Sequence, residues 1–331
     1  MHTREIGPFK VSALGLGCMS MSWGYGTADD ATSVRLLQEA LDVGYTFLDT
    51  AAMYGMGHNE SLIGRALSHR RSEFTLASKC GIYRGDDGAL GVDGRPETVK
   101  QTCELSLQRL QTDVIDLYYL HRLDPNVPIE ESVGALADLV AEGKIRTIGL
   151  SEVSSATLRR AHAVHPITAV QSEYSLWART PERQMLATCK ELGVSFVPFS
   201  PLGRGFLTGC AKDVTELDEG DIRTNVARPR FEPEAFAINQ RLLIPYAAIA
   251  KEQGCSMAQL ALAWLLAKAD KTLVPIPGTK HIEFMRENAA AGDILLDASV
   301  VKALDKLISD EAVVGDRYMA GLMTSIDSEK D

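Results

Sequence analysis

No stretch of the 331 residues approaches the roughly 18 consecutive apolar positions of a membrane-spanning helix. The opening Met1-His2-Thr3-Arg4-Glu5 also lacks the apolar core of a secretory leader, so no membrane partner is expected. Cysteine is sparse: Cys18, Cys80, Cys103, Cys189, Cys210 and Cys255 are scattered, with no CxxC pair. That spacing offers neither a disulfide framework nor a zinc site, so reduced thiols, no metal and a cytoplasmic setting are expected. Basic residues are outnumbered 34 to 44, a net charge of −10, which opposes binding to a nucleic-acid backbone. A small anionic ligand stays open, because helix N-termini and a few local cations can hold one. The 27 glycines and 13 prolines nowhere gather into a linker, so a single domain over 1–331 is expected.

What is present is an ordinary globular composition, 45% apolar and 24% charged. A chain of this length buries about three quarters of its unfolded surface, enough to fold without disulfides or a structural metal. Strand-like apolar runs recur at Val11 to Gly17, Tyr45 to Asp49, Phe74 to Lys79, Val114 to Leu120, Ile145 to Leu150, Thr168 to Gln171, Val194 to Phe199 and Leu273 to Pro277. Between them lie helical spacings: Val34, Leu37 and Leu41; Val133, Leu136, Ala137 and Val140; Leu260, Trp264 and Ala267. Gly44, Gly143 and Gly193 stand where helices should stop. Strands without polar alternation, separated by helices, imply parallel strands buried on both faces. Eight such units predict an α/β fold, a (β/α)8 TIM barrel. The excess length is assigned to a short N-terminal cap over 1–9, a polar tail from Asp316 to Asp331, and a long loop after strand seven, Gly209 to Phe236. That loop carries Asp213, Glu216, Asp218, Glu219 and Asp221, then Arg223, Arg228 and Arg230, and reads as a lid or a solvated insert.

Barrel chemistry sits at the C-terminal ends of the strands. There the sequence offers Asp49 with Tyr54 five residues on, then Lys79, His121, Ser151 and Gln171. Singly, an Asp or Lys at a strand end is ordinarily a solvated loop residue, a His a structural one and a Tyr a rim aromatic; the order Asp, Tyr, Lys, His on successive strands points to one reactive mouth.

The segments Phe47-Leu-Asp-Thr-Ala-Ala-Met-Tyr-Gly55, Ser78-Lys79, Tyr119-Leu-His121, Ile148-Gly-Leu-Ser151, Gln171-Ser-Glu-Tyr-Ser175, Ser200-Pro-Leu-Gly-Arg-Gly205 and Ile276-Pro-Gly-Thr-Lys280 resemble the aldo-keto reductase family in order and spacing. Gly15-Leu-Gly-Cys-Met-Ser20 and His121-Arg-Leu-Asp-Pro125 most resemble its microbial and plant aldehyde reductase branch. The resemblance implies NADPH-dependent reduction of a small-molecule aldehyde or ketone. It makes Tyr54 the proton donor, Lys79 and Asp49 its tuning pair, and His121 the group that orients the carbonyl. A free phenol has a pKa of about 10, and lowering it by two units takes about 3 kcal/mol of phenolate stabilisation, which a contacting ammonium can supply.

For the cofactor, matching positions are Gly17, Cys18 and Met19 in the first strand-end loop, Ser151 and Gln171 at the carboxamide, and Phe199 on the ring. Ser200, Pro201, Leu202, Gly203 and Gly205 follow along the pyrophosphate, Gly278, Thr279 and Lys280 meet the 2′-phosphate, and Glu287 and Asn288 the adenine. Two positions depart from the family pattern: Glu152 stands where asparagine is common, and Phe284 where many members carry a phosphate-clamping arginine. NADP over NAD is still expected from Lys280.

Trp23, Tyr25 and Trp177 are expected at the substrate rim. The opening glycine pair makes a poor dinucleotide fingerprint because its third small position is Ser20, and His162 with His165 lacks further metal ligands. A second reading is an NADPH-binding regulatory subunit with little turnover. Monomer and homo-oligomer are both open.

Overall fold

The computed structural model describes residues 1–85, 89–210, 214–218, 220–323 and 326–331. Asp213 and Glu219 of the expected loop lie outside the described residues. The chain opens with a hairpin, β1 (Thr3–Ile6) and β2 (Phe9–Ser12), then enters β3 (Leu16–Gly17) and α1 (Asp30–Val43). There follow β4 (Phe47–Asp49), α2 (His58–Leu67), β5 (Thr75–Cys80), a second hairpin β6 (Ile82–Arg84) and β7 (Leu90–Val92), and α3 (Pro96–Leu110). The pattern continues through β8 (Ile115–Leu120), α4 (Ile129–Ala141), β9 (Ile145–Ser151), α5 (Ser155–Val164), β10 (Ile167–Glu173), α6 (Met185–Leu192) and β11 (Ser195–Phe199). Helices α7 (Pro233–Glu252), α8 (Met257–Lys268), α9 (Ile282–Ala290), α10 (Ala298–Leu307) and α11 (Ala320–Met323) complete the chain.

Seven strands form one parallel sheet in the order β11-β10-β9-β8-β5-β4-β3. The expected eighth strand, Leu273 to Pro277, runs extended between its two ends without becoming a regular strand. The Val274 and Ile276 amides donate to the Phe196 and Pro198 carbonyls, while the Pro275 and Pro277 carbonyls accept from Gly15 and Gly17. Pro275 and Pro277 have no amide hydrogen to return to β3, so the ladder on that side is half made and the barrel is closed by alternate bonds.

Inside the barrel, Phe47, Ala77, Leu117, Tyr119, Ala169, Val197, Val274 and Ile276 pack with Ile6 and Val11 of the N-terminal hairpin. That hairpin plugs the end where strands begin: the Gly7 amide bonds Ser195 Oγ at the start of β11. The expected cap therefore reaches Ser12 rather than residue 9, and takes the first part of the run assigned to strand one. A larger apolar cluster fills the layer between strands and helices. Local signals agree with it: Asp29 caps α1 through the Thr32 amide, Ser256 and Gln259 form a capping box on α8, and Gly44 stops α1 at φ 102°.

Candidate active site

Parallel register turns alternate residues inward, so Asp49, Lys79, His121, Ser151 and Gln171 share the interior above the apolar layer, at the strands' C-terminal ends. Gly149 leaves room for the Tyr119 ring there; a Cβ on it would lie 2.3 Å from that ring. Tyr54 stands on the short turn after β4. Lys79 is fully buried, and its ammonium donates to Asp49 Oδ1, to the Thr50 carbonyl at 2.8 Å and to Tyr54 Oη at 3.4 Å. Gln171 Nε2 holds the other Asp49 oxygen at 2.8 Å, which fixes the carboxylate. The His121 ring meets the Tyr54 ring edge to face, with centroids 5.8 Å apart. Four expected residues are thus in one mouth.

The electrostatics differ from expectation at one point. Burial pushes the Tyr54 phenol up and outweighs Lys79, which pulls it down. The expected net lowering is not met, because desolvating a phenolate costs more here than one ammonium shared with Asp49 returns. The phenol therefore rests protonated, as a proton donor must. Burial pulls Lys79 down, yet Asp49 and Tyr54 together leave it raised, so the ammonium is kept.

Burial holds His121 well below the ordinary histidine value, with Arg122 and Lys79 adding to the shift. Its imidazole is neutral near pH 7. Below pH about 6.5 the unfolded chain takes up a proton at this position that the folded chain refuses, so stability falls as pH falls. Urea denaturation should show the wild type losing up to about 1.4 kcal/mol more than His121→Asn for each pH unit below 6.5. Parallel losses would contradict a buried neutral imidazole.

The expected cofactor segments lie along the same rim. Ser151 and Gln171 are buried, Phe199 is half-buried beside them, and Gly17 and Gly278 meet through a parallel bridge. Cys18 is buried and Met19 packs against Tyr54, Ala51 and Met53. From Ser200 through Pro201 and Leu202 to Gly205 the chain turns sharply, with φ of 48° at Ser200, 58° at Gly203, 56° at Arg204 and 91° at Gly205. This left-handed backbone makes tight turns, the Gly203 and Gly205 amides closing back on the Ser200 and Leu202 carbonyls, and the glycines leave room for close approach of a ligand. At the far end Lys280 donates 2.7 Å bonds to the carbonyls of Tyr25 and Thr27, both neutral acceptors, beside a buried Thr279. Asn288 is buried, Glu287 half-buried, and Phe284 exposed against His281. An aromatic face, amide-type partners, a glycine-rich turn and a lysine match a nicotinamide dinucleotide carrying an extra phosphate, so the residues fit that group.

Trp23 packs beside Tyr54, and Tyr25 lies under the Arg223 guanidinium, 5.3 Å from its ring. Trp177 does not reach the rim: 3% exposed, it stacks on Phe206 at 3.9 Å and meets Phe231 edge to face. It supports the Ser200–Gly205 turn from behind, where a Cβ on Gly203 would lie 3.1 Å from its ring. The described part of the loop after strand seven has short helical turns at Val214–Glu216 and Arg228–Phe231 and leans on the first strand-end loop, the Ile222 amide bonding the Gly24 carbonyl at 2.9 Å.

Sequence reasoning missed a buried ion network reaching in from the tail. Arg317 bonds Glu152 at 2.9 Å, Glu173 at 3.0 Å and Glu329 at 2.7 Å, while Arg204 bonds Glu173 at 2.7 Å and the Arg317 carbonyl at 2.6 Å. Burial penalises the Glu152 carboxylate, but Arg317 and Arg122 hold it down at about 2. Glu152, a departure from the family pattern, is thus an anchor for the tail. The same network ties together the segments that carry Ser151, Gln171 and the Ser200–Gly205 turn. The sequence signal was a single charge, Glu152, Glu173 or Arg204, set in each of three otherwise uncharged strand-end segments.

The aldo/keto reductase family model matches residues 13–309. The NADP(+) aldo-keto reductase yakc of Schizosaccharomyces pombe is 42% identical over 330 residues, 98% of this chain and 96% of that protein. A probable aldo-keto reductase 1 of Glycine max is 42% identical over 319 residues, 95% and 90% of the two chains. Among solved structures, a glycerol dehydrogenase from Gluconobacter oxydans superposes with TM-score 0.84 at 27% identity, covering 98% and 96%. An aldo/keto reductase from Klebsiella pneumoniae in complex with NADP and acetate gives 0.71 at 28% identity, covering 96% and 98%.

Proposed function

The chain belongs to the aldo/keto reductase family, and from that premise we propose that it reduces an aldehyde or ketone to the alcohol with NADPH, taking the proton from Tyr54. Its class is that of NAD(P)H-dependent oxidoreductases acting on carbonyl groups. The observation that carries the finer reading is the contact of Lys79 with both Asp49 and Tyr54 beside His121 in one buried mouth. When bound, the nicotinamide supplies a hydride to the carbonyl carbon. Neutral His121 donates a hydrogen bond to the carbonyl oxygen and fixes its direction. Tyr54 Oη gives its proton to that oxygen, and Lys79 stabilises the phenolate left behind. Asp49, oriented by Gln171, keeps the ammonium charged and aimed.

Ser151, Gln171 and Phe199 would hold the nicotinamide, Ser200 to Gly205 the pyrophosphate, and Lys280 the 2′-phosphate. One charge-assisted contact is worth about 1.5 to 3 kcal/mol, so NADPH should bind about tenfold or more tightly than NADH. Fluorescence titration with both cofactors, followed by an aldehyde and ketone panel, is the test. Equal affinity for the two cofactors would remove Lys280 from phosphate recognition, and no turnover across the panel would sink the reductase reading.

A further inference from the structure

Five guanidinium groups approach the mouth and its supporting turn: Arg204 pairs with Glu173, Arg317 with Glu152, Glu173 and Glu329, and Arg223 with Asp221, while Arg230 sits behind the turn on the Trp177 and Gly315 carbonyls. Arg122 differs. It directly follows His121, is partly buried, and among the described residues its hydrogen bonds go only to neutral oxygens, the His121 carbonyl at 2.7 Å and Ser151 Oγ at 3.2 Å. Both bonds use Nη1, which leaves the Nε and Nη2 donors of the fork. It lies at the strand-end mouth, following His121 and bonded to Ser151, and its charge is felt at Glu152 as well as at Tyr54, His121 and Tyr318. Met19, Trp23 and Ile82 pack against the cluster of Ala51, Met53 and Tyr54. The mouth thus offers apolar groups around Tyr54 and, among the described residues, a guanidinium whose hydrogen bonds go only to neutral oxygens.

Resting on the reductase reading above, we propose that Arg122 selects carbonyl substrates bearing an anionic group, a carboxylate or a phosphate, a short span from the reacting carbonyl. A planar guanidinium with free donors matches either group, and partial burial strengthens the contact relative to one in open water. The backbone and Ser151 bonds hold the guanidinium still, so little side-chain freedom is lost when an anion arrives. Arg122 touches the substrate's charged end, remote from the reacting atoms, so its effect belongs in KM.

The test uses full-length protein with NADPH and two matched pairs. 4-Carboxybenzaldehyde is set against its neutral methyl ester, and glyceraldehyde 3-phosphate against glyceraldehyde. The wild type should favour the anionic member of at least one pair by about ten- to hundredfold in kcat/KM, mostly through KM. Which pair shows it separates carboxylate from phosphate recognition. With NADPH saturating, Arg122→Met should erase that preference while the neutral member changes less than threefold, and Arg122→Lys should restore part of it. Equal losses on both members, or a wild type that does not discriminate, would overturn the assignment. A wild type that oxidises NADPH with neither member of either pair removes the reductase reading itself, an outcome distinct from turnover without preference.

Discussion

Tyr54→Phe should lower kcat by about two to four orders of magnitude, the usual contribution of a positioned acid, with NADPH affinity unchanged. The variant removes only Oη. That atom lies 3.4 Å from Lys79 Nζ, and the buried Lys79–Asp49 pair keeps its other bonds to Thr50 and Gln171 without it. The fold should therefore survive, and a loss of both stability and cofactor binding would point to a structural phenol instead. Because burial raises the phenol while Lys79 lowers it, wild-type reduction should hold a plateau through neutral pH and fall only when Tyr54 loses its proton in the alkaline range. Tyr54→Phe should lack that alkaline limb. A limb of the same midpoint in the variant would assign it to another group.

The second large effect is on stability. Arg317→Met leaves Glu152 and Glu173 buried without the guanidinium that spans them, and breaking a buried pair costs about 3 to 5 kcal/mol. Arg204 can still serve Glu173, so the loss concentrates at Glu152. Chemical denaturation should show the drop, and lowering the pH toward the range where Glu152 can be protonated should shrink the difference between variant and wild type. A surface arginine would cost less than about 1 kcal/mol. The consequence for function follows from geometry: with the anchor gone, the segments carrying Ser151, Gln171 and the Ser200–Gly205 turn lose a shared brace, so NADPH binding should weaken. Unchanged stability would mean that water replaces the network at no cost.

Much of the barrel was legible because two periodicities, continuous apolar strands and helical faces, are imposed locally and recur. The site-forming positions were legible because parallel strands put their polar ends at one mouth, so Asp49, Lys79 and His121 could be picked out by position. Strand eight was overcounted: its apolar residues satisfy the pattern, but Pro275 and Pro277 cannot donate. Trp177 was misjudged for a different reason. An aromatic after a strand looks the same in sequence whether it rims a pocket or, as here, stacks on Phe206 beneath the turn.

The βα repeat, the order of strand-end groups and the family they resemble are all written in the chain, since each depends on residue type and spacing along one segment. Three features depend instead on how distant segments pack. The Tyr54 phenol is raised rather than lowered, because desolvation depends on everything packed around it. Glu152 serves the tail, because its partner lies 165 positions away. Arg122 reaches Ser151 on the next strand and, among the described residues, bonds only neutral oxygens, a placement that exists only once distant segments have met.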